Sequence, residues 1–448
     1  MSVVANRRRL TAFATLVFFT ALASDAWRDS IGWYGYGAVV AIVLGGSIAL
    51  LVRHRRLLSF RTLPAPLVAF LSLATLSTAW SFYPGASALG VLAQIVTTIP
   101  AVALALALTA DELVASLGRC LRIVLSLSLL FELVVSLIVR APVFPVWVTA
   151  AQRVHPPELL YWSRNLLLAG DKIQGIVGSS SLLAMAALLG LIVFAMQWAA
   201  GTVSRLSSVL AIVLSVACVA LTRSATIFLG LAAVAIVLAM IVLLRRAVTA
   251  RARRITLGAI IVGCFAAIVV TVVLRTPILA VLGKSDNLTG RSGIWEKVIA
   301  LAQERPIAGW GWVSFWAPWV EPFKHLVTRN GVVQLHAHNA WLDVWLQLGI
   351  LGLVVFGLLV AGAAVRSWWL ATDPDSPGAP HAIPDARRRR AYAVLPALLI
   401  TALLVQTLAE SRILIEGGWV LLVLLATVTK RQLRARDRAE PRLLGRNE

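Results

Sequence analysis

The sequence predicts an all-α integral membrane protein: about 12 transmembrane helices, with a large extracytoplasmic loop between spans nine and ten carrying short amphipathic helices. Three observations predict it. Of the 448 residues, 59% are apolar and 14% charged, whereas soluble domains run near half and a quarter. Apolar runs near the length of about 20 residues that spans hydrocarbon recur along the chain. The cations concentrate in alternate gaps between those runs. A backbone in lipid must satisfy its own hydrogen bonds, so the runs read as helices.

The apolar runs lie at about 10–25, 34–52, 64–82, 86–109, 120–139, 177–196, 206–222, 225–244, 255–274, 338–365, 391–409 and 413–429. They divide the chain into a cytoplasmic N-terminus (1–9), spans one to nine (10–274), an extracytoplasmic loop (275–337), spans ten to twelve (338–429) and a basic cytoplasmic tail (430–448). The first run follows Arg7, Arg8 and Arg9 and ends near Ala21-Leu22-Ala23, the pattern of a secretory signal. Cleaved or retained, it leaves residue 30 outside and the later topology unchanged. Of the 41 Lys and Arg, 27 fall in one set of alternate gaps, including 7–9, 53–61, 245–254, 387–390 and 430–446. The positive-inside rule then puts both termini in the cytoplasm and accounts for the net charge of +21. Nucleic acid is not an expected partner, because no basic stretch is interleaved with a stacking platform. Cys120, Cys218 and Cys264 sit in or beside apolar runs, which excludes a disulfide framework. The Pro- and Asp-rich stretch 372–387 reads as a linker.

The candidate chemistry gathers in the long loop and at its borders. Ile294, Val298 and Leu301 share one helical face and Pro306 ends the run, so an amphipathic helix is expected from about 291 to 304, on or near the membrane surface. Arg291 falls in its first turn, where the helix dipole disfavours a cation unless an anion is bound there. Gly309 and Gly311, in Pro306-Ile307-Ala308-Gly309-Trp310-Gly311, allow close approach of a ligand or backbone. His336 and His338 follow, with His338-Asn339 at the start of the tenth span. A helix N-terminus favours a neutral imidazole, the form a general base needs, and Asn339 can orient it or a substrate hydroxyl. Gly349 and Gly352 suit close packing by a neighbouring helix. Arg223 stands alone between Arg205 and Arg245 where two spans meet; it is either a phosphate ligand or an arginine reaching lipid headgroups. The loop tryptophans, among them Trp295, Trp310, Trp312, Trp316 and Trp319, suit an interfacial belt or stacking on sugar rings. Asp286, Glu296, Glu304 and Glu321 are scattered without ligand spacing, so neither a metal nor a cofactor is expected.

These residues resemble the O-antigen ligase and polymerase superfamily of polytopic membrane glycosyltransferases. His338-Asn339, nine residues, then Gly349-x-x-Gly352 resembles its signature; Gly290-Arg291-x-x-Ile294-Trp295 resembles its loop-arginine motif; Pro306-x-x-Gly309-x-Gly311 resembles its turn; and Arg223 resembles its earlier arginine. The likeness covers about 205–365. One position departs: many members carry Glu two residues before the first glycine, and here it is Gln347. The resemblance implies metal-independent, inverting transfer of a glycan from a polyprenyl-pyrophosphate donor to an acceptor hydroxyl on a glycan or glycolipid, in surface-polysaccharide synthesis at the outer face of a bacterial cytoplasmic membrane. His338 would be the base, and Arg223 and Arg291 the pyrophosphate ligands. Two other classes fit the composition. A twelve-span transporter would need broken or polar helices at mid-membrane in both halves. A transferase using a polyprenyl monophosphate would take Asp25 or Asp29 as its base.

Overall fold

The computed structural model describes residues 3–273, 291–329, 332–373 and 385–444. The linker at 374–384 and the loop segment 274–290, with Asp286 and Gly290, lie outside the described residues. Thirteen α-helices run through the described residues: α1 (Val3–Leu22), α2 (Ser24–Arg53), α3 (Ala65–Leu76), α4 (Pro84–Ala107), α5 (Ala110–Val134), α6 (Ser180–Ala200), α7 (Arg205–Thr222), α8 (Ala225–Arg246), α9 (Ala250–Val273), α10 (Ser292–Glu304), α11 (Ala340–Thr372), α12 (Ala386–Thr407) and α13 (Glu416–Leu444). One hairpin of two-residue strands, β1 (Thr328–Arg329) and β2 (Val332–Val333), interrupts the long loop.

Each predicted apolar run is helical over most of its described residues. Among the described residues, eight helices are long and apolar enough to cross a membrane: α2, α4, α5 extended to Val139, α6, α7, α8, α11 and α12. Local chemistry sets their ends. Thr109 and Glu112 form a reciprocal cap at the start of α5. Gly201 closes α6 in the left-handed conformation. Gly32 (φ 72°) and Gly349 (φ 63°) break α2 and α11. Helix α13 runs on from the last apolar stretch into the expected basic tail, as far as Leu444.

The helix ends gather at two poles. At one pole the cations brace the bundle: Arg7 pairs with Glu112 at 3.2 Å, Arg388 with Asp111 at 3.5 Å, and the Arg245 and Arg387 guanidinium groups donate to the carbonyls of Ala371 and Ala199. The loops 140–179, 291–329 and 332–339 cover the other pole. There, α10 turns its apolar face inward. Ile294, Val298 and Leu301 are buried with Trp316, Phe323 and Leu346, a small core beneath the loop. Burial of each contributes about 2 kcal/mol, and the apolar face of α10 packs on protein.

Candidate active site

The site is built where the long loop enters α11. Asn339 is the N-cap, its Oδ1 accepting from the amides of Trp341 at 3.0 Å and Leu342 at 3.3 Å. That use fixes the start of the helix and engages the side-chain oxygen. His338, one residue earlier, lies in the left-handed region at φ 50°, a conformation that surrounding contacts must hold. They are at hand. The fully buried Asp343 accepts from the Ala337 amide at 3.0 Å and from the Ser411 hydroxyl. This tie draws the connection between α12 and α13 against residues 336–338.

Glu410, beside Ser411, consequently meets His338. Its Oε2 is 3.1 Å from His338 Nδ1, and its Oε1 accepts from an Arg291 guanidinium nitrogen at 3.2 Å. His338 Nε2 lies 3.1 Å from the Gln334 amide oxygen. His336 Nδ1 accepts from the His338 backbone amide at 3.1 Å, and the two rings sit 4.0 Å apart. Burial alone would raise the Glu410 carboxyl. The His338 hydrogen bond and the charges of His338, His336 and Arg291 outweigh it and hold the group down at about 2. Burial, with His338, Arg412 and Arg291 nearby and only Glu410 opposing, pushes His336 down to about 3. At neutral pH Glu410 is therefore ionised and His336 uncharged. An ionised carboxylate on Nδ1 assigns the proton to that nitrogen; Nε2 is then the basic one, with the Gln334 amide turned so that its NH₂ group faces it.

The glycine-bearing turn supports this arrangement from below. A Cβ on Gly349 would lie 2.1 Å from the Ile307 carbonyl oxygen, and one on Gly309 would lie 2.4 Å from the Gln347 carbonyl carbon. Both have positive φ. The turn thus plugs into the break in α11, where the amides of Trp310, Gly311 and Ile350 pair with Leu346, Gln347 and Pro306 at 2.8–3.0 Å. Gly349 and Gly352 were expected to admit a neighbouring helix. Instead Gly349 admits the turn, and Gly352 packs against side chains of its own helix. Gln347 accepts from Val313 and Ser314 and donates to the Ser314 carbonyl, a donation that a carboxylate in its place would not make.

A cavity of about 870 Å³ opens in front of these groups, lined by His336, His338, Glu410, Arg291 and, unforeseen from sequence, Arg28 and Arg412. Asp25 and Asp29 line it too; Asp25 pairs with Arg28, and Asp29 accepts from Trp147 Nε1 at 3.0 Å. Arg223 is not among the lining residues. It ends α7 at φ 48°, with its guanidinium against Gly170. The tryptophans divide by role. Trp295 and Trp310 donate to the carbonyls of Ala337 and Leu301, and Trp312 is buried, so these fasten the loop. Trp316 and Trp319 line the cavity, and of these Trp319 is exposed. His336, His338 and Glu410 form a group with ligand atoms within 4.8 Å of one another, the reach of a metal ion. Arg291 already places a cation on that carboxylate, which opposes a second one.

Residues 210–357 match the family model of the O-antigen ligases, and that stretch holds Arg223, Arg291, the glycine turn, His338 and the Gly349 break. Over that stretch the chain is similar to the O-antigen ligases. A segment of 94 residues, 19% of the chain, is 28% identical to the exopolysaccharide production protein ExoQ of Rhizobium meliloti (strain 1021). The match spans 20% of that relative's length. Glu410 and Arg412 lie beyond the matched region. Their signal in the sequence is a pair of opposite charges, Glu410 and Arg412, flanking Ser411 between two apolar runs.

Proposed function

We propose that the protein is a metal-independent, inverting membrane glycosyltransferase of surface-polysaccharide biosynthesis. It transfers a glycan from a polyprenyl pyrophosphate to an acceptor hydroxyl on another glycan or glycolipid. The chain crosses a bacterial cytoplasmic membrane twelve times with both termini inside, and the cavity faces outward. Ligase and polymerase share this chemistry. The observation that carries the reading is the His338 imidazole, held on Glu410 with Arg291 on the same carboxylate, in the wall of the 870 Å³ cavity.

The acceptor hydroxyl displaces Gln334 at His338 Nε2. Its oxygen attacks the anomeric carbon, the bond from that carbon to the pyrophosphate oxygen breaks, and the hydroxyl proton passes to Nε2. Glu410 stabilises the imidazolium that forms. Arg291 neutralises the departing pyrophosphate, which needs no acid because it is already a good leaving group. Support for a lipid-borne donor comes from a second cavity of about 470 Å³ between α2, α4 and α13. Its lining is largely apolar, including Val40, Leu89, Leu92 and Val420, and it shares Arg28, Trp33 and Phe315 with the first. A polyprenyl chain fits such a groove.

The test is transfer by purified protein in lipid nanodiscs from a polyprenyl-pyrophosphate glycan. His338→Ala is expected to abolish product while the variant stays in the membrane and keeps its thermal unfolding profile. Undiminished product from that variant would reject the assignment of the base.

A further inference from the structure

We propose that Arg412 supplies the second guanidinium of the pyrophosphate subsite, held in place by Glu416 and Arg28; this rests on the glycosyltransferase reading. Arg291 and Arg412 are mounted alike. Each lines the 870 Å³ cavity, and each is tied through one nitrogen to a carboxylate of the short segment 410–416: Arg291 to Glu410 at 3.2 Å, Arg412 to Glu416 at 3.1 Å. Their side chains are equally exposed, at 21%, so both offer donors to an occupant of the cavity. Tethering one nitrogen to a carboxylate fixes the planar fork without using all five of its N–H groups.

Arg412 also stands where the headgroup of a lipid donor must lie. Its guanidinium is 5.7 Å from the centre of the Phe315 ring, and Phe315 lines both the polar cavity and the apolar groove. Glu416, its anchor, lines the groove. A polyprenyl pyrophosphate with its chain in the groove and its sugar before His338 has its phosphates at this seam. Arg28 reaches the seam as well, but it is committed to Glu416 at 3.0 Å and to Asp25 and Ser24. Arg28 therefore acts as a positioning residue. It balances the charge on Glu416 so that this carboxylate holds Arg412 without cancelling it. Arg223, against Gly170, lies outside both linings.

The experiment measures binding of sugar-free polyprenyl pyrophosphate and of polyprenyl monophosphate to the full-length protein in nanodiscs. Arg412→Gln is expected to raise the Kd for the pyrophosphate about tenfold or more and to change the Kd for the monophosphate much less. Arg412→Lys keeps the ion pair with Glu416 but not the fork, so it is expected to lose the same discrimination while unfolding at the wild-type temperature. Arg153→Gln, whose side chain lies over Phe144 away from the cavity, is the control with unchanged binding. Wild-type discrimination in both Arg412 variants would overturn the assignment of Arg412 and leave the parent reading standing. Failure of the wild-type protein to bind polyprenyl pyrophosphate would overturn both. A selective loss in Arg223→Gln, with Arg412→Gln unaffected, would give the second cation to Arg223 instead.

Discussion

Replacing Glu410 by Gln probes the site at the point where its parts meet. The carboxylate accepts from His338 Nδ1 at 3.1 Å and from Arg291 at 3.2 Å. Glutamine has nearly the same shape but one acceptor oxygen, so its NH₂ must face one of those two donors. Hydrogen bonds to charged groups contribute about 1.5–3 kcal/mol. Each 1.36 kcal/mol corresponds to about tenfold in rate. Losing one such contact, with the imidazolium of the transition state now unsupported, predicts a drop of about 10- to 100-fold in kcat/KM. The assay is initial-rate transfer in nanodiscs over a range of donor concentrations, with protein amount normalised. A wild-type kcat/KM in Glu410→Gln would refute the claim that this carboxylate sets the tautomer of His338 and anchors Arg291.

Other expectations follow from the same geometry. Gly349→Ala forces a Cβ to within 2.1 Å of the Ile307 carbonyl oxygen at positive φ, so the purified variant should unfold several degrees below wild type; an unchanged unfolding temperature would mean that the turn does not need the break in α11. His336 takes up a proton only near pH 3 when folded, against 6.5 ordinarily, and Glu410 only near 2, against 4.5. In both cases the unfolded chain binds protons first, so stability falls as pH drops from 6.5 to 3 for the first group and from 4.5 to 2 for the second. His336→Gln should flatten stability between pH 6.5 and 4.5, a window in which, of the two, only the histidine contributes. Asp29→Asn should retain transfer, since its carboxylate is engaged by Trp147; loss of transfer in that variant with retention in His338→Ala would move the base to Asp29. Dialysis against a chelator should leave the rate unchanged, and restoration of a lost rate by a divalent ion would transfer the role of Arg291 to a metal at His336, His338 and Glu410.

The helices were legible because the solvent of a membrane protein imposes one pattern: long apolar stretches leave no backbone conformation but helix. Arg291 and His338 were legible because each breaks a local rule, one as a cation at a helix start and the other as a titratable ring at a span boundary. Glu410 was not legible. Its partners are more than 70 residues away in the chain, and what brings it to His338 is the buried Asp343 bond to Ser411. Arg412 was hidden in the same three-residue connection. The spacing of Gly349 and Gly352 suited helix packing, yet periodicity carries no information about a positive φ, and that φ turned Gly349 into a socket for the Pro306 turn. The face of α10 was read correctly as apolar, but amphipathicity alone does not say whether lipid or protein covers it.

The central claim is a single shared seat for donor and base. The most direct measurement is a cryo-EM structure of the full chain in nanodiscs with a polyprenyl-pyrophosphate glycan. The predicted result is phosphate density in contact with Arg291 and Arg412, with the first sugar beside His338 Nε2 and the lipid chain between α2, α4 and α13. Phosphate density seated elsewhere, away from both Arg291 and His338, would contradict it.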